Sequence, residues 1–417
     1  MWPLDKFSFF AKPRQGVLSL DYYSWFNFNY DTITTLLETR GYSYHKYDIN
    51  DARLTVCASS ESCSYRDIDL DSAIAYTVCN ELEILPGIVD LNNDIHRSVI
   101  EKWRAIARSC VEYTLKVVSE KKITVFLLPQ GYVLEAAICR LVAINLGLQI
   151  FAIENTLHND RLLWDNISGI TVNYNLSRNY FWKYKDSIKL EAAEAYAINY
   201  LRNIKQFKAP EHTSPTKILN FPQNKKIVVF LAQVYTDSSV LFNIYNFIDP
   251  VHIIEILTEY CFRNDCALVI KLHPKEISGN SIVNTPLDRL TWRKLSASER
   301  FRKIYNNSSD ITVDYNNDYD TFMLIQSSDV CVTVNSMSGL EACLYNKPVI
   351  NCGHASYSGL GFTSEAQDEG LLIYFLDRML KDPSVNTNIA MLFFYIFLDR
   401  YCIKKDEATL VEALTNR

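Results

Sequence analysis

The chain has 417 residues, of which 48% are hydrophobic and 22% are charged, as in ordinary globular proteins. Because this length exceeds what a single hydrophobic core commonly serves, we expect two domains. The formal net charge of −6 supplies no basic field that would attract nucleic acid, so we expect no nucleic-acid partner.

The cysteines and the apolar segments indicate a cytoplasmic protein. The 11 cysteines include no C-x-x-C pair, which favours buried free thiols over disulfides or a zinc site. Residues 1–16 lack the apolar core of a signal peptide, and no stretch reaches the ~18–20 apolar residues that span a bilayer. The longest apolar stretch, 389–398, is predicted to be a packed C-terminal helix, with peripheral contact at the inner face of the membrane as its alternative role.

The first ~95 residues show no clean periodicity, so we assign no elements there. An apolar stripe at helical spacing then predicts a helix over 97–122, followed by a strand at 123–128, a helix at 133–146 and a strand at 148–153. This succession is typical of a β-α-β unit with parallel strands.

Three prolines and many polar residues make 206–224 the best candidate for an interdomain linker. Beyond it the sequence predicts strands at 226–231, 267–272, 329–334 and 348–351, and helices at 251–262, 319–326 and 338–345. The fold class is therefore α/β, with two doubly wound, Rossmann-like domains and a cleft between them. We expect an N-terminal Rossmann-like domain over 1–215, a C-terminal Rossmann-like domain over 222–385, and C-terminal helices over 386–417 that pack back on the first domain.

Polar residues follow five of the predicted strands, where ligands collect in parallel sheets. They are Gln130 and Gly131, Glu154 and Asn155, Gln233 and Asp237, His273 to Glu276, and Asn335 to Gly339. The joint pattern places two facing carboxylates, one histidine and one hydroxyl-rich turn at a common edge.

The turn that contains Ser336 and Ser338 opens a predicted helix. Hydroxyls and backbone N–H groups at a helix N-terminus suit a phosphate group. The alternative is a plain helix cap, with Glu341 completing a capping box. The two interpretations are compatible, because donors left free by a cap face outward.

His273 is followed by Pro274 and flanked by Lys271 and Lys275. It is either a structural histidine or a donor to a leaving phosphate. Asp237 and Glu154 would face each other across the cleft as nucleophile and acid or base in a retaining glycosyl transfer. Asp237 is alternatively the cap of a helix that begins near Ser238.

Asp318-Tyr319-Asp320 forms a D-x-D pattern, which often accompanies a metal-bound nucleotide sugar. Its position at the start of a predicted helix favours helix capping, and we assign no metal to it.

The second half resembles the capsule polysaccharide synthesis-type retaining β-Kdo glycosyltransferases of the lipopolysaccharide O-antigen and capsule branch. The resemblance rests on residues 233–239, on Lys271 to Pro274, on Val334 to Ala342, on Lys347 to Ile350 and on Gly353 to Thr363. It covers 226–363 well and extends more weakly to 130–160.

The resemblance implies a GT-B-like fold and transfer of Kdo from CMP-β-Kdo to a bacterial surface glycan with retention. It makes 1–215 the acceptor-side domain and 222–385 the donor domain. By position, Asp237 matches the aspartate that attacks the anomeric carbon, Glu154 the glutamate near the acceptor, and His273 the phosphate site. The implied donor-binding residues are Gln233, Lys271, Lys275, Asn335, Ser336, Ser338, Gly339 and Glu341.

The donor is a sugar acid, and Lys271, Lys275 and Arg161 are the candidate partners of its carboxylate. Because CMP is a monophosphate leaving group, we expect no metal or other cofactor. The acceptor glycan is expected to be lipid-linked. An inverting GT-B transferase that uses another CMP-nonulosonic acid, and a non-catalytic glycan-binding protein of this fold, remain the alternatives.

Overall fold

A computed structural model describes residues 15–20, 26, 28–54, 63–166, 174–208, 217, 219–220, 224–278 and 288–416. Most of the segment predicted as the interdomain linker, 206–224, and nearly all of the N-terminal segment 1–16 lie outside the described residues.

The first half alternates strands and helices. Its strands are β1 (Gln15–Ser19), β2 (Tyr42–Lys46), β3 (Ser64–Tyr65), β4 (Ile68–Asp69), β5 (Ile123–Pro129), β6 (Gln149–Asn155) and β7 (Arg161–Asp165). Its helices are α1 (Tyr30–Thr39), α2 (Ile49–Leu54), α3 (Leu70–Leu82), α4 (Asp94–Lys121), α5 (Leu134–Leu146), α6 (Tyr174–Tyr184), α7 (Leu190–Arg202) and α8 (Ile204–Phe207).

The second half repeats this alternation. Its strands are β8 (Ile227–Leu231), β9 (Ala267–Lys271), β10 (Ile311–Asp314), β11 (Val330–Thr333), β12 (Val349–Asn351), β13 (Ser364–Glu365) and β14 (Ile403–Lys404). Its helices are α9 (Ser238–Asn243), α10 (Pro250–Arg263), α11 (Lys275–Ser278), α12 (Leu290–Ala297), α13 (Glu299–Tyr305), α14 (Thr321–Ser327), α15 (Met337–Leu344), α16 (Glu369–Lys381), α17 (Thr387–Ile396) and α18 (Glu407–Thr415).

The chain forms two six-stranded sheets, one for each half, and β14 from the end of the second half joins the first sheet. The first has the order β14-β7-β6-β5-β1-β2, and the second has the order β10-β9-β8-β11-β12-β13. All pairs of the second sheet are parallel, and its order is that of a Rossmann fold. In the first sheet β2, β1, β5 and β6 are parallel, whereas β7 and β14 pair antiparallel. The predicted class, two Rossmann-like domains in a GT-B-like arrangement, is confirmed.

Local sequence explains the elements that the periodicity identified. The predicted helix over 97–122 is α4, whose Cys110 is fully buried and whose Trp103 and Tyr113 pack against the core. Lys122 ends it in a left-handed conformation. The glycine after α5, Gly147, does the same with a φ of 65°, because a residue without Cβ adopts this conformation at no steric cost.

The C-terminal segment returns to the first half of the chain. Strand β14 pairs with β7 at the edge of the first sheet. The indole of Trp164 donates to the carbonyl of Tyr401 at 2.6 Å, and the Tyr401 hydroxyl donates back to the Trp164 carbonyl at 2.7 Å. In α17 the side chains of Phe393 and Phe394 are fully buried. The apolar stretch at 389–398 is thus a packed helix with its continuation, as predicted.

The first ~95 residues, which gave no pattern, contain β1, β2 and α1 to α3. Strand β2 has the sequence Tyr-Ser-Tyr-His-Lys and no fully buried residue. Because it is an edge strand whose two faces are both half-buried, it lacks the alternation on which the prediction depends.

The cysteines that the structure describes are all free, and all except Cys63 are buried, which agrees with the predicted free thiols. No helix within the described residues is both long and apolar enough to cross a bilayer.

Candidate active site

The two halves enclose a cleft of about 300 Å³. In the second sheet the strand order reverses between β8 and β11, and the cleft lies at the carboxyl ends of these strands, where open parallel sheets bind ligands. Glu154 and Leu157 line it from the first half, and Asp237, His273 and Ser338 line it from the second. Predicted residues from four of the five strand ends line the cleft, whereas Gln130 and Gly131 do not.

Asp237 is both a helix cap and a cleft residue. Its Oδ1 accepts from the backbone N–H of Ser239 at 2.8 Å and from the Ser239 hydroxyl at 2.6 Å, and it is the N-cap of α9. Both bonds use the same oxygen. Within the described part of the chain no hydrogen bond engages Oδ2, so capping leaves one carboxylate oxygen to react.

Glu154 is the second last residue of β6 and lines the opposite side of the cleft. Its Oε1 accepts from the Gln130 amide at 2.7 Å. Burial and then the negative charge of Asp237 raise the pKa of Glu154 to about 8, although the hydrogen bond from Gln130 and the charge of Lys275 act in the opposite direction. At neutral pH this carboxyl group holds its proton.

The backbone around Gln130 is unusual. Gln130 has a φ of 60° and the following Gly131 a φ of 108°, and positive φ at a residue with a side chain costs conformational energy. This turn directs the Gln130 amide to Glu154.

Tyr132 also lines the cleft, although no sequence motif marks it. Its side chain is 7% exposed. Burial and then the charge of Glu154 raise its pKa well above the ordinary value. Tyr132 therefore stays protonated, and it adds a neutral wall to the space between the two carboxylates.

His273 lines the cleft beyond β9. Its Nδ1 accepts from the backbone N–H of Lys275 at 3.1 Å, which fixes the neutral ring in the tautomer that carries its hydrogen on Nε2. A histidine in this tautomer can donate from Nε2 to a phosphate oxygen. Lys275 is exposed and acts on the site through its charge.

The turn before α15 has the predicted geometry. Ser336 is the N-cap, and its hydroxyl accepts from the backbone N–H of Ser338 at 3.2 Å. Both serines line the cleft. The Tyr357 hydroxyl donates to the Ser336 carbonyl, and a Cβ at Gly339 would overlap that hydroxyl and stand 3.2 Å from Thr333 Cγ2. Gly339 therefore permits the approach of Tyr357 and does not itself line the cleft.

Gln233 and Asn335 brace the ends of β8 and β11. The Gln233 amide nitrogen donates to Ser239 Oγ at 2.7 Å and to Asn335 Oδ1 at 2.8 Å. Its oxygen accepts from the Asn335 backbone N–H at 3.0 Å. Since Ser239 is also the partner of Asp237, both predicted donor residues hold the carboxylate in place.

Lys271 does not reach the cleft, so its predicted role at the donor is wrong. Its side chain is 4% exposed and pairs with Asp314 at 2.6 Å. It also donates to Asn317 Oδ1 at 2.5 Å and to the Tyr319 carbonyl at 2.8 Å. Asp314 is the last residue of the edge strand β10, and the other two acceptors follow it. Together the three acceptors occupy all three hydrogens of the ammonium.

We expect Lys271→Met to act on stability and not on the donor. The change leaves the buried Asp314 carboxylate without its ion-pair partner, which should lower the free energy of unfolding by about 3–5 kcal/mol. Urea unfolding measures this loss, and Lys226→Met, which breaks an exposed pair with Asp329, should cost much less. If Lys271→Met weakens nucleotide binding by the folded protein, the assignment of Lys271 to the scaffold is wrong.

Arg161 and Glu341 are two further corrections. The Arg161 guanidinium donates to the Leu398 carbonyl at 3.2 Å, so it holds the C-terminal segment instead of a donor carboxylate. Glu341 is fully buried on the inner face of α15. It lies too late in the helix for a capping box, because the third helical position is Gly339.

Among the residues that the structure describes, Lys208 is the lysine that lines the cleft, and the sequence did not identify it. Its ammonium lies 2.7 Å from Glu341 Oε1. Lys208 belongs to the segment 206–224, which the sequence predicted to be a linker. The composition of a linker does not show which of its side chains will contact a site.

The D-x-D pattern serves the scaffold. Asp320 caps α14 by accepting from the backbone N–H groups of Phe322 and Met323, and Asp318 pairs with Lys217 at 2.8 Å. Within the described ranges no cluster of three or more His, Cys, Asp or Glu side chains is arranged to hold a metal ion.

Comparisons with solved structures find similar arrangements at low identity. Two matches are Thermosulfurimonas dismutans KpsC proteins. The KpsC β-Kdo 2,4 transferase is 16% identical, with a TM-score of 0.46 over 72% of this chain and 93% of that chain. The KpsC β-Kdo 2,7 transferase is 16% identical, with a TM-score of 0.42 over 73% and 89%. A Neisseria meningitidis UDP-GlcNAc 2-epimerase is 12% identical, with a TM-score of 0.39 over 97% and 100%.

No curated protein sequence matches the chain. A family model described as capsule polysaccharide biosynthesis protein matches residues 171–396. The match spans more than half of the chain and includes Asp237, His273 and the turn before α15. The chain belongs to the capsule polysaccharide biosynthesis protein family.

Proposed function

We propose that this protein is a retaining glycosyltransferase that moves Kdo from CMP-β-Kdo to a bacterial surface glycan. The observation that carries the proposal is the pair of carboxylates in one cleft, in which the charge of Asp237 acts on the pKa of Glu154. Two carboxyl groups with different protonation states are what a double displacement requires. Family membership and the resemblance of the motifs support the choice of sugar.

In the first step, Asp237 Oδ2 attacks the anomeric carbon of Kdo. The bond from that carbon to the phosphate oxygen breaks, and CMP departs with the bonding electrons. His273 donates from Nε2 to the departing phosphate, and the first turn of α15 with Ser336 and Ser338 faces its charge. The product of this step is a Kdo ester of Asp237.

In the second step, Glu154 accepts the proton of the acceptor hydroxyl as that oxygen attacks the anomeric carbon. The ester bond breaks and the Asp237 carboxylate is restored. Two inversions at one carbon give net retention. Before that step, esterification has removed the charge of Asp237, which is one cause of the raised pKa of Glu154. The Glu154 carboxyl group therefore releases its own proton to solvent and is ionised when the acceptor hydroxyl arrives.

The first test is turnover by the purified protein. With CMP-Kdo and glycan fragments we expect CMP release, Kdo transfer, and retained anomeric configuration by NMR. Equal rates in EDTA and in Mg²⁺ would support a reaction without a metal. An inverted product would identify the inverting alternative, and a protein that neither hydrolyses nor transfers Kdo from CMP-Kdo would contradict the proposal.

A thermal shift with CMP separates the enzyme from a glycan-binding protein of the same fold. A bound ligand at 100 times its Kd stabilises the folded state by about 2.7 kcal/mol. A protein without a working nucleotide site should show no rise in Tm.

A further inference from the structure

Lys208 is a cation set into the wall of the cleft. It follows α8, and its side chain is 13% exposed. The cleft wall next to it includes Leu157 from the first half and Ser338 from the second. Lysines are seldom buried to this degree without a specific partner, so its position needs an explanation.

That partner is Glu341, whose carboxylate is fully buried. Its Oε1 lies 2.7 Å from the Lys208 ammonium and accepts from the Tyr200 hydroxyl at 2.5 Å. Its Oε2 is buried without a hydrogen bond in the described structure. Tyr200 lies on α7 and Glu341 on α15, so these two helices fix the ammonium from behind.

The position of Glu341 on α15 places this cation beside the turn. Ser338 and Glu341 are three residues apart, and residues at this spacing share one helix face. The ammonium next to Glu341 is therefore adjacent to the Ser338 face of the first turn. An ammonium has three hydrogens. Among the described residues Glu341 is the only carboxylate paired with Lys208, and the ammonium also lies 5.9 Å from the centroid of the Phe322 ring.

We propose that Lys208 binds an anionic oxygen of the nucleotide-sugar donor, and that Glu341 is the positioning residue that holds its ammonium at the cleft wall. This inference rests on the proposed function, because a CMP-linked sugar acid brings two anions, a phosphate and a carboxylate. Of the three carboxylate partners expected from the sequence, Lys271 and Arg161 are engaged elsewhere, and Lys275 is exposed and is not among the residues that line the cleft. Lys208 takes the place that they leave.

An anion-binding role for Lys208 also explains why a buried ion pair is present at this position. A buried pair adds little to stability compared with apolar residues of the same size, whereas a fixed ammonium at the rim loses little freedom when it meets an anion. A pair that only joined the two halves would leave ligand affinity unchanged when both of its charges are removed.

The experiment compares Lys208→Met and Lys208→Arg with Lys205→Met, a matched control exposed on α8. Calorimetry measures the affinity for CMP, and steady-state kinetics measure the KM for CMP-Kdo. Because a charge-assisted hydrogen bond is lost, Lys208→Met should weaken one of these by roughly 10–100-fold. Lys208→Arg should weaken the same parameter less, because it keeps the positive charge. Lys205→Met should have the CMP affinity and the KM of the wild type.

The pattern of losses identifies the anion. A loss of CMP affinity assigns Lys208 to the phosphate, and a raised KM for CMP-Kdo with normal CMP affinity assigns it to the sugar carboxylate. Glu341→Gln should raise whichever of the two parameters, the Kd for CMP or the KM for CMP-Kdo, is raised in Lys208→Met, but by a smaller factor. Its kcat should stay within about twofold of the wild-type value. Unchanged affinity and KM in Lys208→Met would overturn the inference.

Two arms keep the result interpretable. If Lys208→Met does not fold, the double variant Lys208→Met/Glu341→Gln removes both charges, and it must still show the loss. If the wild type neither binds CMP nor uses CMP-Kdo, the proposed donor is wrong. The same variants are then titrated with UDP. Weaker UDP binding in Lys208→Met supports the anion site, and equal or absent binding in the wild type and the variant overturns it.

Discussion

Replacing Asp237 with asparagine should lower Kdo transfer by roughly 10³-fold or more, because the amide cannot form the ester intermediate. Asparagine caps helices as well as aspartate does, and its Oδ1 can keep both bonds from Ser239. The change therefore removes the charge and the nucleophile and retains α9. We expect normal CMP affinity and an unchanged Tm, with turnover measured as CMP release.

The matched control is Asp368→Asn. Asp368 is also a helix N-cap, accepting from the Leu371 N–H at 2.9 Å on the exposed start of α16. It should turn over at the wild-type rate. Intact mass of the wild type after incubation with CMP-Kdo should show one added Kdo, which Asp237→Asn should lack. Normal turnover by Asp237→Asn would exclude it as the nucleophile.

The sequence predicted the fold where an element is a continuous apolar run or carries a regular apolar stripe, but not in the first ~95 residues, where β1 and α3 are largely buried and were not assigned. Strands β8, β9 and β11 are nearly continuous apolar runs, and α4 carries a regular apolar stripe, so their type and order could be read directly. Strand β2 is half-buried on both faces, and its place in the sheet comes from its pairing with β1. Such tertiary pairing overrides local pattern.

For the site, the sequence predicted which strand ends meet but not where long side chains point. Asp237, Glu154 and Ser338 are short or lie directly at the cleft, and the structure places them together. Lys271 sits at an equivalent strand end, yet its four-carbon chain carries the charge to Asp314. The reach of a flexible side chain depends on the partners around it, which adjacent sequence does not show.

Lys208 and Tyr132 were missed for a different reason. Each lies outside any motif, and each is brought to the cleft by packing between the two halves. Lys208 can be identified as a cleft residue only from its ion pair with Glu341, which is distant in sequence. Tyr132 can be identified only from its position in the cleft, where the charge of Glu154 acts on its hydroxyl. Contacts between distant segments carry this information.

Replacing Glu154 with glutamine should slow Kdo transfer by roughly 10²–10⁴-fold, the usual contribution of a general base. Asp237 and the phosphate site remain, so the first step should continue. The variant should therefore accumulate the Asp237 ester when it is given CMP-Kdo, and intact mass should show one stable Kdo increment. Glu38→Gln, an exposed change on α1, should behave as wild type.

The pH dependence gives the sharper test of the same residue. Burial and the charge of Asp237 hold the pKa of Glu154 at about 8 in the free protein, and removing a neighbouring negative charge lowers the pKa of a carboxyl group. In Asp237→Asn the pKa of Glu154 should therefore fall below about 8, as measured by carboxyl ¹³C NMR.

In the wild type, the acceptor step needs ionised Glu154, so its rate should fall as pH drops through the pKa of Glu154 in the ester. Because the ester lacks the charge of Asp237, that midpoint must lie below the free-protein value of about 8. A midpoint above it, or a pKa of Glu154 that does not move in Asp237→Asn, would show that the two carboxylates are not coupled and that Glu154 is not the base.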